Sequence, residues 1–454
     1  MAARSALDRE GQLPPPLRSR LGRRVATPPE AVAHVPDGAT VYVTGLMGTP
    51  TTLVSALADG FAAWRNVTTT SDYLLEPLAT FDRPDGVDLE VWPFHHVTVQ
   101  PSRATGRLAA DRLRIVPAHS SQFYRLFHPG GHLAVDVALV QVSEPGPDGR
   151  FSLGVSGGAA LEVICRAELV IAEVNPAMPW IGGPAAFDRD AFDVLVEVEH
   201  RLLTLPGPVS SSPVDDVPAR IGAHVAAEVA NGSTIEYGIG AIPDAAVEAL
   251  AGHEALGLHS GLLGDAAMAL IDAGVLDGSA KSVDASLHVA SAVLGTERVV
   301  DWVRERDDVV IVASNYSHGV PTLSRQQRFV AINSAIEVSL DGSVNAEQVG
   351  DRIVSGPGGQ PDFAAGAALS VEGRSIVALP STARPSRRDA DGAPTSRIVN
   401  RLSAGVPVTV PRYLADRVVT EHGVARLRGV DGRQRAERLL AVADPDHGPA
   451  PRNL

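Results

Sequence analysis

The stretch NGSTIEYGIGAIPDAAVEAL, residues 231–250, decides the fold because an earlier part of the chain repeats it. A turn leads into a short strand, a glycine turn follows, and the segment after Pro243 has the pattern of a helix. Residues 37–43, DGATVYV, align with residues 231–237, and Pro50 aligns with Pro243 in the helix that follows. Two copies of a strand–turn–helix unit predict a duplicated α/β fold.

A second pair of segments supports the duplication. LVIAEVN at 169–175 resembles VVIVASN at 309–315, so both predicted strands end on an asparagine, Asn175 and Asn315. The expected architecture is two tandem, similar, open α/β domains with mainly parallel sheets. Chance similarity of strand–helix units is the alternative. Ligands of open α/β sheets bind beyond the carboxyl ends of the strands, so both asparagines are expected near a site.

The domain boundaries follow from length and composition. A chain of 454 residues is too long for one hydrophobic core. Residues 1–34 are predicted to be an N-terminal arm, 35–205 the first domain, 206–218 a linker rich in proline and serine, and 219–454 the second domain.

Local patterns predict further elements within these domains. Strands are expected at 67–70, 89–91, 114–116, 135–142 and 371–379, and helices at 50–57, 159–166, 221–229, 396–404 and 434–442.

Composition excludes several function classes. A net charge of −14 argues against general binding to nucleic acid or to anionic membranes. No run of about 18 apolar residues indicates a membrane span, and the start of the chain lacks the apolar segment of a secretory signal, so a cytoplasmic location is expected. The single cysteine, Cys165, lies in an apolar run and predicts a buried thiol. No cysteine or histidine spacing indicates a metal site.

The glycine-rich segment SGPGGQPDF, residues 355–363, is the first candidate binding loop. Side chains are nearly absent between Gly356 and Gly359, so a ligand can approach the backbone closely, and Gln360 follows directly. Successive N–H groups in such a turn can converge on an anion or on a polarised carbonyl. The alternative is a tight turn without a ligand.

The turn GIGAIP is the second candidate binding loop. Gly238, Gly240 and Pro243 precede a predicted helix, and such a turn can hold a pyrophosphate or a pantetheine backbone. A turn that only packs against the rest of the domain is the alternative. A dinucleotide site is less consistent with the sequence, because Pro243 stands where the third glycine of G-x-G-x-x-G is expected.

Five motifs in order resemble the acetyl-CoA hydrolase/transferase family, and within it the 4-hydroxybutyrate CoA-transferase branch. They are YGIGAIPDAAVEAL (237–250), LGLHSGLLGD (256–265), AINSAIEVSLDGSVNAEQVG (331–350), SGPGGQPDF (355–363) and RVVTEHGVARLRGVDGRQRAERL (417–439). The resemblance extends from about Val35 to His447.

The resemblance implies a function and a set of site residues. It implies a homodimer that binds acyl-CoA between two α/β domains, with CoA as substrate or product and no permanently bound cofactor. A glutamate attacks the thioester, and a glutamyl-CoA thioester then passes CoA to an acceptor carboxylate. The side chain of Asn315 and the N–H of Gly358 correspond to the family's oxyanion hole, where each donor stabilises the oxyanion by about 3–4 kcal/mol.

The chain departs from the family at the nucleophile. The family motif H-[TS]-E-[ML] corresponds here to His259, Ser260, Gly261 and Leu262, so a glycine stands at the glutamate position. Without that carboxylate, the covalent route through an enzyme-bound thioester has no obvious carrier.

Three interpretations follow from this departure. In the first, the protein hydrolyses or cleaves an acyl-CoA, with water or another base in place of the glutamate. His259 is a candidate base, although a structural histidine bonded to backbone is the alternative. In the second, another carboxylate serves as nucleophile in CoA transfer, with Glu236, Glu144, Glu173 and Asp265 as candidates. In the third, the protein is a non-catalytic CoA-binding pseudoenzyme.

Overall fold

The computed structural model describes most of the chain. It covers residues 24–60, 67–71, 73–75, 87–91, 113–127, 134–205, 216–383 and 393–450. Residues 1–23 of the predicted arm and residues 206–215 of the predicted linker lie outside these ranges. Those two expectations therefore stay predictions.

The chain falls into two compact units that are not contiguous in sequence. The first comprises Met1–Gly207, Leu263–Asp265 and Val289–Ser317. The second comprises Pro208–Leu262, Ala266–His288 and His318–Leu454. Two short segments from the carboxy-terminal half therefore belong with the amino-terminal unit.

The strands are mostly short, and many are rich in β-branched residues. In chain order they are β1 Arg24–Val25, β2 Thr40–Val43, β3 Val67–Ser71, β4 Val87–Val91, β5 Leu113–Ile115, β6 Val137–Val142, β7 Phe151–Ser152, β8 Leu169–Val174, β9 Ala186–Phe187, β10 Val194–Glu197, β11 Thr234–Tyr237, β12 Gly257–Leu263, β13 His288–Val293, β14 Val309–Ile311, β15 Phe329–Ser334, β16 Glu337–Ser339, β17 Val344–Asn345, β18 Gln348–Val349, β19 Arg352–Ile353, β20 Arg374–Ala378, β21 Thr382–Ala383, β22 Thr395–Ser396, β23 Ile398–Val399, β24 Arg417–Thr420 and β25 Gly423–Arg426.

The α-helices are also short. They are α1 Pro28–Val32, α2 Thr51–Gly60, α3 Phe123–Leu126, α4 Gly158–Ile164, α5 Val217–Ala226, α6 Ala241–Glu248, α7 Asp265–Asp272, α8 Glu297–Arg304, α9 Ser314–Ser317, α10 Val320–Leu323, α11 Gln360–Leu369 and α12 Gly432–Leu440.

The sheet of the first unit is parallel throughout. Its strand order is β1-β10-β8-β6-β2-β3-β4-β5. Every residue of β6 and β8 is buried, as expected for central strands covered on both faces. Alternate residues of β2 enter different cores: Val41 and Val43 pack with Leu53 of α2, whereas Tyr42 packs with Phe123 of α3.

The sheet of the second unit repeats this order. The run β12-β11-β15-β20-β24-β25 is parallel as far as β24 and ends with an antiparallel strand. It corresponds strand by strand to β3-β2-β6-β8-β10-β1 of the first unit. Moreover, α6 connects β11 to its neighbour β12 as α2 connects β2 to β3. The two repeated sequence stretches thus occupy the same topological position, and the predicted α/β fold is confirmed.

Two local predictions are wrong. No helix forms at 396–404, where the chain instead makes β22 and β23. Ile398 is fully buried because β23 pairs with β16, with Val338 opposite Ile398. This tertiary contact outweighs the helical pattern, and the β-branched pair Ile398–Val399 suits a strand. In addition, β14 ends at Ile311, so Asn315 lies in α9 and not at a strand end, whereas β8 does end one residue before Asn175.

A charged cluster lies at the amino ends of the strands in the second unit. A cavity of about 530 Å³ there is lined by four arginines, Arg328, Arg374, Arg417 and Arg428, with Glu228 and Glu372 among the other lining residues. Nε of Arg417 donates to Oε2 of Glu228 at 2.9 Å, and Arg426 donates to Oε1 of the same carboxylate. Arg374 donates to the backbone carbonyl oxygen of Glu228. We call these five arginines and Glu228 the arginine cluster.

Candidate active site

Strand β12 contains residues His259 to Leu262, which the resemblance aligns with the family motif. His259 and Ser260 are fully buried, whereas Gly261 and Leu262 are half-buried. The hydroxyl of Ser260 donates to the carbonyl oxygen of Tyr237 at 3.4 Å and accepts from the N–H of Leu262 at 3.3 Å. The backbone around Gly261 is therefore held by its neighbours within the second unit.

The side-chain space of Gly261 is lined by an imidazole. A Cβ built at this glycine would lie 3.0 Å from Nε2 of His318 and 3.3 Å from its Cε1. The next nearest atom is Cε2 of Phe363, at 3.7 Å. The rings of His318 and Phe363 are in contact, with centroids 4.6 Å apart and planes tilted by 38°. A histidine ring thus borders the space that a side chain at residue 261 would enter.

Gly359 borders the same imidazole from the glycine-rich loop. A Cβ at Gly359 would lie 2.7 Å from both Nε2 of His318 and Cε2 of Phe363. Both distances are shorter than the non-bonded contacts that Cβ atoms make in proteins. Any side chain at 359 would therefore displace one of the two rings. The absence of side chains at Gly261 and Gly359 is what makes room for the buried ring of His318.

The predicted loop 355–363 ends inside a helix. Helix α11 begins at Gln360, with Pro361 and Asp362 in its first turn, which is a common pattern at helix starts. Gly358 just before it has φ +56°, a conformation that favours glycine. The buried N–H of Gly358 has no hydrogen-bond acceptor in the described part of the chain, and neither has the buried Nε2 of Gln360.

The second predicted loop brings Gly238 close to an amide. A Cβ at Gly238 would lie 3.0 Å from Oδ1 of Asn333 on β15. Gly240, with φ +115°, precedes α6 and is exposed, whereas Pro243 is buried in the first turn of that helix. Gly240 has no atom within 4 Å of a Cβ built on it, so this backbone is open to a ligand.

Glu236 is buried next to that loop. Nδ2 of Asn333 donates to its Oε2 at 2.8 Å. Burial raises the pKa of Glu236 well above its usual value, although hydrogen bonds from Asn333 and the backbone of Ile332 act in the opposite direction. A carboxyl group that keeps its proton is a poor nucleophile.

The other candidate carboxylates belong to the first unit. Glu173 is fully buried, accepts from the N–H of Leu53 at 2.5 Å and lies 3.2 Å from Nε2 of His200. Asp265 accepts from the N–H and the hydroxyl of Thr296 at 2.8 and 2.6 Å, next to the start of α8. Glu144 is exposed after β6. Glu173 and Asp265 are thus already engaged in structural hydrogen bonds.

His259 lies in a buried polar group of its own. Its Nδ1 is 3.8 Å from Oδ2 of Asp284. Nearby, Nζ of Lys281 donates to the carbonyls of Leu258 and Leu287 at 2.9 and 2.7 Å. Burial lowers the pKa of Lys281 to about 7, although Asp284 raises it. The role of His259 as a base stays a prediction.

Asn315 belongs to the first unit. It sits in the short helix α9, where its side chain is exposed, while Ser317 in the same turn is within 2.5 Å of the Ser291 hydroxyl. Its oxyanion role stays a prediction. His318 and Phe363 were not predicted as site residues. The missing side chain at Gly261 indicates that some neighbour fills the space, but the sequence does not say which one.

The two halves of the chain match two descriptions of one family. Residues 5–194 match the acetyl-CoA hydrolase/transferase N-terminal domain, and residues 295–450 match the corresponding C-terminal domain. The chain belongs to the acetyl-CoA hydrolase/transferase family. Family members act on CoA substrates, and the predicted resemblance is thereby confirmed.

Individual relatives in the family are similar over most of the chain. The 4-hydroxybutyrate coenzyme A transferase of Clostridium kluyveri is 39% identical over 69% of this chain and 70% of its own. The succinyl-CoA:cyclohexane-1-carboxylate CoA transferase of Geobacter metallireducens is 31% identical over 93% of each. The structure of RipA from Yersinia pestis matches with a TM-score of 0.83 and 26% identity, over 98% of this chain and 96% of that one.

The described residues were expected to contain neither a membrane-spanning helix nor a metal site. Within them, no helix has the length and apolar character needed to cross a membrane. No group of three or more potential metal ligands occurs in the same part of the chain.

Proposed function

We propose that this protein cleaves an acyl-CoA, by hydrolysis or a related lyase reaction, and does not transfer CoA through a glutamyl thioester. One observation carries the proposal. By the resemblance of the motif, Gly261 takes the position of the family's nucleophilic glutamate, and the atoms nearest to a Cβ built at this glycine belong to His318 and Phe363. A covalent transfer route needs a carboxylate at that point.

The remaining machinery suits attack on a thioester. We assign the amide of Asn315 and the N–H of Gly358 as donors to the oxyanion, and the loops at 238–243 and 356–360 as the binding region for CoA. The N–H of Gly358 has no competing acceptor in the described residues, which supports this role. The proposal includes a homodimer in the cytoplasm, with CoA as substrate or product and without a permanently bound cofactor.

CoA transfer through another carboxylate is the second candidate function. The names of the relatives from Clostridium kluyveri and Geobacter metallireducens favour it, because both are CoA transferases, whereas a relative from Neurospora crassa is named acetyl-CoA hydrolase. The structure offers it little chemical support, since Glu236 is buried with a raised pKa and Glu173 and Asp265 are bonded elsewhere. A non-catalytic CoA-binding protein is the third candidate.

The decisive assay compares cleavage with exchange. The protein is incubated with acyl-CoA thioesters of increasing size, with and without free carboxylates, and both thiol release and the appearance of new acyl-CoA are measured. The sample is then reduced with borohydride, digested and analysed by mass spectrometry. We expect thiol release, little exchange and no modified carboxylate. A trapped adduct on any Glu or Asp, together with ping-pong exchange, would overturn the proposal.

Binding is tested separately with Gly358→Val. A branched side chain at a φ of +56° is strained and blocks the approach to the backbone. We expect CoA binding, measured by calorimetry, to be lost in a variant that still folds by circular dichroism. Unchanged affinity would remove Gly358 from the binding region. A protein that binds CoA but releases no thiol from any tested thioester would support the pseudoenzyme.

A further inference from the structure

We propose that His318 is the general base of the cleavage reaction, and that it replaces the missing carboxylate from a different part of the chain. This inference rests on the proposed hydrolytic function. Its basis is geometric. The Nε2 atom of His318 lies 3.0 Å from the position of a Cβ at residue 261.

The distance matches the reach of the side chain that the family motif contains. A glutamate carries its carboxyl carbon two bonds beyond Cβ, about 2.5 Å away at ordinary bond lengths. Nε2 of His318, at 3.0 Å, therefore lies at a distance from that Cβ that a glutamate carboxyl group at 261 could reach. A basic nitrogen thus borders the space that the side chain of residue 261 would enter.

The surrounding structure fixes this ring in one place. Phe363 of α11 lies against one side of it, with centroids 4.6 Å apart, and the backbone of Gly359 borders it closely. His318 directly precedes Gly319, the residue that caps α10. Gly366 of α11 leaves no room for a side chain against Leu323 of α10, so the two helices are in tight contact. A base held by packing on several sides keeps the geometry that proton transfer requires.

The chemistry balances with water as the only co-reactant. The oxygen of a water molecule forms a bond to the thioester carbonyl carbon while Nε2 of His318 takes one proton from that water. The tetrahedral intermediate then collapses, the C–S bond breaks, and the proton on Nε2 passes to the departing sulfur. The products are a carboxylic acid and free CoA, and His318 returns to its neutral form. No covalent enzyme intermediate forms.

His259 is the competing histidine. It lies two residues before Gly261 on the same strand, has no exposed surface, and sits 3.8 Å from Asp284. Successive residues of a strand point to opposite faces, so Gly261 and His259 share a face but are one full repeat apart. Substituting each histidine separately and comparing the two variants shows which one is the base.

The test uses the intact protein and three matched variants: His318→Gln, His259→Gln and His224→Gln. His224 lies half-buried in α5, a helix that supplies none of the assigned catalytic or binding groups, and controls for the loss of a histidine. Thiol release from the best acyl-CoA is measured from pH 5 to 9, CoA affinity by calorimetry, and folding by circular dichroism. For His318→Gln we expect a loss of about 100-fold to 10,000-fold in kcat with CoA affinity kept. The fall in wild-type activity towards acid pH should also disappear from the residual activity.

The outcomes separate this inference from the function on which it rests. Wild-type hydrolysis that survives His318→Gln overturns the inference and leaves the proposed function standing. The same result with a large loss in His259→Gln identifies His259 as the base instead. If kcat falls but the pH profile keeps its shape, His318 only positions other groups and the inference is wrong. If the wild-type protein releases no thiol, both the proposed function and the inference fail.

Discussion

The two ends of the second unit's sheet differ in their polar groups: one end holds paired charges, and the other holds uncharged groups and open backbone. At the amino ends of its strands, the arginine cluster joins Arg417, Arg426 and Arg428 to Glu228 and Asp416 in a network of ion pairs. At the carboxyl ends, the candidate site has glycines, an imidazole and amide groups. In the first arrangement the charges form fixed contacts within the protein. In the second, the N–H of Gly358 has no acceptor among the described residues, and the backbone of Gly240 is open. Substitutions should therefore change stability at one end and activity at the other.

Gly359→Ala should have the largest effect, and it should fall on activity. The new Cβ would stand 2.7 Å from Nε2 of His318, so the ring must move. We expect a loss of at least about 100-fold in kcat, as for other displaced catalytic groups. Overpacking should cost about 1–3 kcal/mol of unfolding free energy. Activity assays measure the loss in kcat, and urea unfolding measures the loss in unfolding free energy. Full activity in this variant would show that the position of His318 is unimportant.

Glu228→Gln should have the next largest effect, and it should fall on stability. The side chain is 5% exposed and bonds to Arg417 and Arg426. Removing its charge takes away the carboxylate that Arg417 and Arg426 share, while Arg417 keeps its ion pair with Asp416. We expect a loss of about 2–3 kcal/mol in unfolding free energy with kcat/KM unchanged. Urea denaturation at neutral pH measures the loss. A change in KM without a change in stability would contradict the separation of the two ends.

The same variant has a defined pH dependence. Burial alone would raise the pKa of Glu228, but hydrogen bonds from Arg426 and Arg417 hold it below its ordinary value of 4.5. A lowered pKa in the folded state contributes stability that is present above pH 4.5 and is lost as the pH falls through the folded value. The stability difference between wild type and Glu228→Gln should therefore shrink in acid.

Glu236→Gln should have a smaller effect with the opposite dependence on pH. Burial raises the pKa of Glu236, so the folded protein holds a proton that the unfolded chain releases above pH 4.5. Wild-type stability from this group is present below that pH and is lost as the pH rises. We expect the glutamine variant to differ by less than about 1 kcal/mol near pH 4.5 and to gain relative to wild type at pH 8. Loss of CoA exchange in this variant would instead support Glu236 as a nucleophile.

Arg328→Ala should have the smallest effect. Arg328 lines the cavity of the arginine cluster, but its partner is Glu372, at 2.7 Å, and the two side chains are 49% and 63% exposed. Exposed ion pairs contribute about 0–1 kcal/mol. We expect a change within that range in thermal unfolding, which makes this variant the control for Glu228→Gln. A loss as large as that of Glu228→Gln would mean that exposure does not distinguish the two pairs.

The sequence predicted what depends on local pattern. The strand at Thr40–Val43 and the helix at Thr51–Gly60 form where β-branched and amphipathic patterns place them, and so does the buried strand Val137–Val142. The helix expected at 396–404 failed because its strand partner, Glu337–Ser339, lies far away in the chain. Local propensity carries no information about such a partner.

The candidate site divides in the same way. The sequence indicates Gly238 and Gly358 because glycine itself marks open or unusual backbone, and it indicates Gly261 through the resemblance to the family motif. It does not indicate His318, because the importance of that residue depends on its distance to Gly261, which only the folded chain sets. The start of α11 was also overlooked, although Pro361 and Asp362 are common signals of a helix start.

The shared space around His318 also makes residues 261, 318 and 359 depend on one another. A Cβ at residue 261 would lie 3.0 Å from Nε2 of the imidazole, and a Cβ at residue 359 would lie 2.7 Å from the same atom. A side chain introduced at either glycine therefore needs a shift of the ring or a smaller residue at 318. The three positions form one unit of substitution, because the cost of changing one of them depends on which residues occupy the other two.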